Sequence, residues 1–155
     1  MKATVLALLA KLHNEDYRVG AAAIDQLARE GDPAVVPALL GILYERQRAT
    51  IRSDVYTGVL AWRAVCALGT LGGADLVPQL VATSCEEFSL LRGAVVEALT
   101  GIALRTLDED ERALITRTLI SFLDDKGIVS IVRQWRVSDE AAKGLQRIMA
   151  TSAVG

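Results

Sequence analysis

Displacing this chain by 41 residues along itself brings Ala23 onto Ala64, Leu27 onto Leu68 and Gly31 onto Gly72. It also brings Val36 onto Val77, Pro37 onto Pro78 and Leu39 onto Leu80. A glycine and a proline that recur at one offset among matched apolar positions mark a duplicated structural unit. Each copy reads as a helix, a tight turn and a second helix. One such pair cannot bury its own apolar stripes, so neighbouring pairs must stack. A weaker third copy begins at Leu91-Arg92-Gly93-Ala94-Val95-Val96-Glu97-Ala98-Leu99 and lacks the glycine and proline. A fragment of a fourth stands at Glu140-Ala141-Ala142-Lys143-Gly144-Leu145.

The apolar spacing agrees with helices. Leu60, Ala64, Leu68 and Leu71 trace one helical face, and Leu91, Val95, Leu99 and Ile102 repeat the pattern. Leu114, Ile115, Leu119, Ile120, Phe122 and Leu123 form another band. The spacing predicts helices near 3–13, 16–30, 33–48, 55–71, 74–87, 89–106, 108–124, 127–135 and 138–151. Turn chemistry sets the boundaries. Gly31 takes the position after a helix end, Asp32 caps the next helix and Pro33 opens it. Gly72-Gly73-Ala74-Asp75 serves the same purpose in the second copy, and Asp108 caps a helix whose first turn is Glu109-Asp110-Glu111. Asp124 to Gly127 closes that helix, and Ser138 caps the last one. Pro37 and Pro78 either sit in a first helical turn or bend their helices. The β-branched run Ile128 to Val132 is arguable as a strand; it stands alone, and a short helix is the preferred reading.

The segments AAAIDQLAREGDPAVVPALLGIL and RAVCALGTLGGADLVPQLV resemble HEAT repeats, in particular the short bacterial phycobilin-lyase-type repeats. In that pattern an Arg- and Ala-rich helix ends in Leu-Gly, a Gly-Asp turn follows, and the second helix carries a Val-Pro-x-Leu core. The resemblance covers Arg18–Leu43 and Ala61–Val81; the third and fourth copies share only helix periodicity. It implies an all-α fold: one domain over 1–155, a short right-handed α-α superhelix of three to four hairpins. The charged stretch Gln47 to Thr57 is longer than the usual link and departs from the pattern.

Composition bounds the function. Apolar residues are 52% and charged residues 23% of 155, enough for a real core. The net charge of −2 argues against a strongly basic nucleic-acid binder. Two cysteines, Cys66 in an apolar stripe and Cys85 beside Glu86-Glu87, make no disulfide framework and read as plain thiols of a reducing cytoplasm. No apolar run reaches the roughly 18–20 residues of a membrane span. The apolar start stops at Lys11 without a small-residue cleavage site, so a buried first helix is expected there instead of a leader. The mean hydropathy of +0.32 is high, and fits either extensive internal burial or a face covered by another chain, as in a homo-oligomer.

Chemistry is thinly represented. His13 is the one histidine and has no Cys or His at ligand spacing; its alternative role is to favour the carbonyl end of its helix. Neither a metal nor another cofactor is signalled. No phosphate-binding or nucleophile-elbow motif occurs, and Gly69 to Gly73 reads as a hairpin turn. The acid pairs Glu15-Asp16, Glu86-Glu87, Asp108 to Glu111 and Asp124-Asp125 fall mostly at helix ends and read as caps, not general acids and bases. Arg46, Arg48 and Arg52 cluster near Tyr44, Tyr56, Trp62 and Arg63. This mix suits a phosphate backbone, an acidic protein surface or a solvated link between repeats.

The resemblance places second helices on the concave side. With Val36, Leu39, Leu40 and Leu43 as core, Ala38, Ile42, Tyr44, Glu45 and Arg48 face outward. The 41-residue offset adds Gln79, Thr83 and Glu86, and the later helix adds Arg112, Thr116, Arg117 and Ser121. The expected function is non-catalytic protein binding, as an adaptor, assembly factor or inhibitor, through Tyr44, Glu45, Arg48, Gln79, Thr83, Glu86, Thr116 and Arg117. The alternatives are a phycobilin-lyase-like chromophore-attachment or chaperone subunit, which the resemblance raises, and nucleic-acid binding around Arg46 to Arg63.

Overall fold

The computed structural model describes residues 1–48, 55–84, 88–106 and 108–154. The side chains at 47, 48, 55, 153 and 154 fall outside that description. Among the described residues the fold is all-α apart from one two-stranded hairpin. The chain divides into two compact units, Met1–Gly72 and Gly73–Gly155.

The first unit holds α1 (Ala3–Leu9), α2 (Tyr17–Glu30), a single 3-10 turn (Pro33–Val35), α3 (Val36–Arg48) and α4 (Val55–Leu71). α1 is shorter than its apolar run: Lys11 N–H donates to the Leu8 carbonyl (3.0 Å) and Leu12 N–H to that of Leu9 (3.2 Å), so the chain leaves the helix through tighter turns. Asp16 starts α2, accepting the Arg18 N–H at 3.0 Å. Gly31 ends it in the left-handed region at φ 71°, where a side chain is disfavoured. Asp32 then accepts the Ala34 N–H at 2.9 Å, and Pro33 begins the 3-10 turn, as the turn chemistry predicts. α4 packs against both α2 and α3. Ile24, Leu27, Leu39, Ala61, Ala64, Val65 and Leu68 are fully buried in this unit. The small faces of Ala61 and Ala64 let the helices approach closely.

The two repeat copies share a local conformation. In each, a one-turn 3-10 helix (Pro33–Val35, Ala74–Leu76) leads into an α-helix whose first residues are Val-Pro. Pro37 and Pro78 therefore occupy first turns, where the missing N–H has no helical acceptor to lose. The matched glycines differ: Gly31 is left-handed, whereas Gly73, not Gly72, precedes the second turn in extended backbone.

The second unit holds the other 3-10 turn (Ala74–Leu76), α5 (Val77–Thr83), α6 (Ser89–Arg105), α7 (Glu109–Ser121), β1 (Ile128–Ser130), β2 (Trp135–Arg136) and α8 (Val137–Val154). α6 is its axis and touches α5, α7, α8 and β1. Its buried residues run from Leu91 through Val95, Val96, Leu99 and Thr100 to Ala103 and cover most of its circumference, while Glu97 and Arg105 are exposed. Asp108 caps α7 as expected, accepting from Asp110 N–H (2.9 Å) and Glu111 N–H (3.1 Å).

Two expectations are corrected here. Residues 127–135 are not a helix: β1 pairs antiparallel with β2, Ile128 opposite Arg136 and Ser130 opposite Trp135. Four β-branched residues in five leave no helical face to bury, and extended backbone relieves their crowding. The turn between the strands closes through Gln134 at φ 54°. Nor does Ser138 cap the last helix. α8 begins at Val137, and Asp139 accepts the Arg136 N–H at 2.8 Å.

Candidate functional site

The hairpin is fastened to the second unit at several points. Val129 of β1 rests on Gly93 of α6, so closely that a Cβ on that glycine would stand 2.7 Å from Val129 Cγ2. Ser89 Oγ donates to the Ile128 carbonyl at 2.7 Å. Arg92 forms a bidentate pair with Asp125: Nε to Oδ2 at 2.7 Å and Nη2 to Oδ1 at 3.0 Å. Asp125 also accepts the Gly127 N–H at 2.8 Å. The Arg92 guanidinium holds the Asp125 carboxyl below the usual carboxylate range; the Gly127 N–H acts in the same sense, and burial opposes both. At the far side the Trp135 indole N–H donates to Glu140 Oε2 at 2.6 Å, tying β2 to α8.

This fastening holds two features in place. One is the hairpin tip, where Ile131 and Val132 are 81% and 95% exposed. The other is a groove of about 490 Å³ beside it, with Val129, Arg133 and Trp135 on the hairpin, Glu97 on α6, and Glu140 and Lys143 on α8. Its size lies within the roughly 300–1,000 Å³ of ligand clefts. Ser130 also lines the groove, its hydroxyl accepting the Arg133 N–H at 3.3 Å. The arrangement offers an indole face, two cations and two carboxylates.

The residues expected to contact a partner fall in both units. In the first, Tyr44 and Glu45 of α3 are exposed, and Glu45 Oε2 lies 3.8 Å from His13 Nδ1. His13 lies beyond the end of α1 and faces this carboxylate, not the helix's own carbonyls. The Arg48 side chain and Glu86 lie outside the described residues. In the second unit, Gln79 is half-buried, and Thr83, expected to face outward, is 6% exposed with its hydroxyl donating to the Gln79 carbonyl at 2.9 Å. Thr116 is half-buried and donates to the Arg112 carbonyl at 2.7 Å; Arg117 is exposed. Ile42, also expected outward, is 5% exposed, and Val35 takes the core position assigned to Val36. A 3-10 turn advances the chain by 120° per residue instead of 100°, which rotates the α3 face away from the one counted for a continuous helix.

Of the Arg46 to Arg63 neighbourhood, Arg46 is buried, Trp62 and Arg63 are half-buried and Tyr56 is exposed. Arg46 is 5% exposed and donates from Nη1 to Thr57 Oγ1 at 2.9 Å. Arg63 pairs with Asp25 at 3.2 Å and lies over the Trp62 ring, 4.6 Å from its centroid. Tyr56 stacks on Tyr17 with ring centroids 4.6 Å apart. Among the described residues, Arg46 and Arg63 thus make contacts within the first unit, while Tyr44 and Tyr56 stay exposed. Cys66, expected in an apolar stripe, is exposed; Cys85 and Arg52 lie outside the described residues. No described helix is long and apolar enough to cross a membrane.

Sequence reasoning missed Trp135 and the groove. The available signal was the β-branched run between Gly127 and Trp135, which has too many stiff side chains for a short exposed helix. No protein-family model, curated protein or solved structure matches this chain.

Proposed function

We propose that this chain is a non-catalytic protein-binding module built from HEAT-like helical hairpins, and that its contact surface centres on the β1–β2 hairpin. One observation carries the reading: two large aliphatic side chains, Ile131 and Val132, stand almost fully in water on a hairpin tied down by Ser89, Arg92 and Glu140. An ordered apolar tip loses little conformational freedom on docking, so more of the burial energy appears as affinity. Exposed Tyr44 and Glu45 on α3 remain a second surface in the first unit. The common Val-Pro first turns of the two copies support the HEAT-like reading of the scaffold.

The test is capture of a protein from source-cell extract on the immobilised chain, followed by purification of that protein and direct titration. Full burial of one Ile or Val is worth about 1.5–3 kcal/mol, so the Ile131→Ser, Val132→Ser variant is expected to weaken binding by at least about tenfold. Its far-ultraviolet circular dichroism should be unchanged. If Tyr44→Ala with Glu45→Arg abolishes binding while the tip variant binds normally, protein binding stands but its surface is on α3. Absence of any specific protein partner overturns the reading.

A further inference from the structure

We propose that the groove beside Trp135 takes an extended acidic segment of the partner, with an aliphatic side chain against the indole and Val129 and carboxylates on Arg133 and Lys143. The proposal rests on the protein-binding reading above and adds the chemistry of what is bound. It follows from the distribution of charge. From Lys126 to Arg136 the chain carries three cations, Lys126, Arg133 and Arg136, all exposed, and no acid. Among the described residues none of the three, nor Lys143, forms an ion pair. Of the carboxylates nearby, Asp125 pairs with Arg92, while Asp139 accepts the Arg136 N–H and Glu140 the Trp135 indole N–H. Glu97 is left as the groove's acceptor for an N–H of the bound chain.

Other occupants fit less well. Strand addition is opposed because the Ile128 carbonyl already accepts from Ser89 and the Arg136 N–H already donates to Asp139. A phosphodiester chain is charged at every residue and has no neutral unit to set beside Glu97 and Glu140, whereas a peptide can alternate carboxylates with neutral residues. A lipid surface has no ridge to enter a concave site. A second copy docked hairpin to hairpin about a two-fold axis would set cation against cation.

The experiment selects displayed random peptides of about twelve residues on the immobilised full chain, with counter-selection on the Arg133→Glu, Lys143→Glu variant. Enriched sequences are expected to place Asp or Glu beside Ile, Leu or Val. Synthesised representatives should shift the fluorescence of Trp135 in the Trp62→Phe protein, where it is the one tryptophan left. They should bind the charge-reversed variant at least about tenfold more weakly, the Arg133→Gln, Lys143→Gln variant to an intermediate degree, and weaken as salt rises. Peptides that are basic or uncharged, retention by the charge-reversed variant within about twofold, or tighter binding of a single-stranded oligonucleotide or of phosphatidylserine vesicles overturns the proposal. If a captured protein still depends on Ile131 and Val132 but not on Arg133 and Lys143, the protein-binding reading survives and the acidic-segment assignment fails.

Discussion

α6 and α8 cross where Gly144 meets Thr100, and this crossing supports a quantitative test. Gly144 is buried, and a Cβ there would overlap Thr100 Oγ1 and stand 3.0 Å from Leu119 Cδ2. Thr100 is 2% exposed and donates to the Val96 carbonyl at 2.8 Å, so it has little room to withdraw. Gly144→Ala gains about 1 kcal/mol of helix propensity but incurs an overpacking cost of about 1–3 kcal/mol. The expected net effect is a destabilisation of up to about 2 kcal/mol, against the stabilisation that propensity alone predicts. Thr100→Ala alone should cost about 1–2 kcal/mol, from a lost buried methyl and one hydrogen bond. Combined, the new methyl fills the space the threonine vacates. The double variant should then lie within about 1 kcal/mol of the parent and be more stable than the sum of the single effects requires. Urea unfolding followed by far-ultraviolet circular dichroism measures all four proteins, with equal m-values as the check that the unfolded states are comparable. Single effects that add within about 0.5 kcal/mol, or a Gly144→Ala protein more stable than the parent, would refute the packing argument.

Asp125→Asn should destabilise by about 1.5–3 kcal/mol at neutral pH, because it removes the carboxylate that pairs bidentately with the half-buried Arg92. Since Asp125 binds its proton more weakly folded than unfolded, its stabilisation is present above the unfolded carboxylate value of about 3.9 and is lost as pH falls through the lower folded value. The gap in urea midpoint between parent and variant should therefore close in that acid range. Asp108→Ala removes a cap that accepts two N–H groups and should cost about 0.5–2 kcal/mol in the same assay. Ile131→Ser with Val132→Ser should change stability by less than about 0.5 kcal/mol while it weakens partner binding, separating function from fold. Cys66 should react with a thiol reagent in the native protein at a rate close to that in denaturant, as its exposure requires.

Local chemistry carried much of the architecture. Asp32 and Asp108 cap as their positions predict, Pro37 and Pro78 fall in first turns, and the 3.6-residue spacing through Leu91 to Ile102 lies on a buried helix. Such features depend on neighbours within about one helical turn, so a linear reading reaches them. It failed where local preferences were nearly balanced. Ile128 to Val132 is short enough for helix or strand, and the packing of Val129 on Gly93 belongs to the strand. It failed again at Arg46 and Thr83, whose residue types suggest exposure while their surroundings bury them.

The chain's own order of residues determined that it would be helical, where most helices begin, and that a 3-10 turn leading into a Val-Pro helix start recurs, because capping, proline geometry and apolar spacing act over short stretches. Only the tertiary structure decided which charges are free and which are engaged, and that Glu97, Val129, Arg133, Trp135, Glu140 and Lys143 surround one groove. Burial and charge pairing depend on which distant segments pack together. Glu97 and Lys143 lie far apart along the chain and meet at one groove through the packing of α6 against α8.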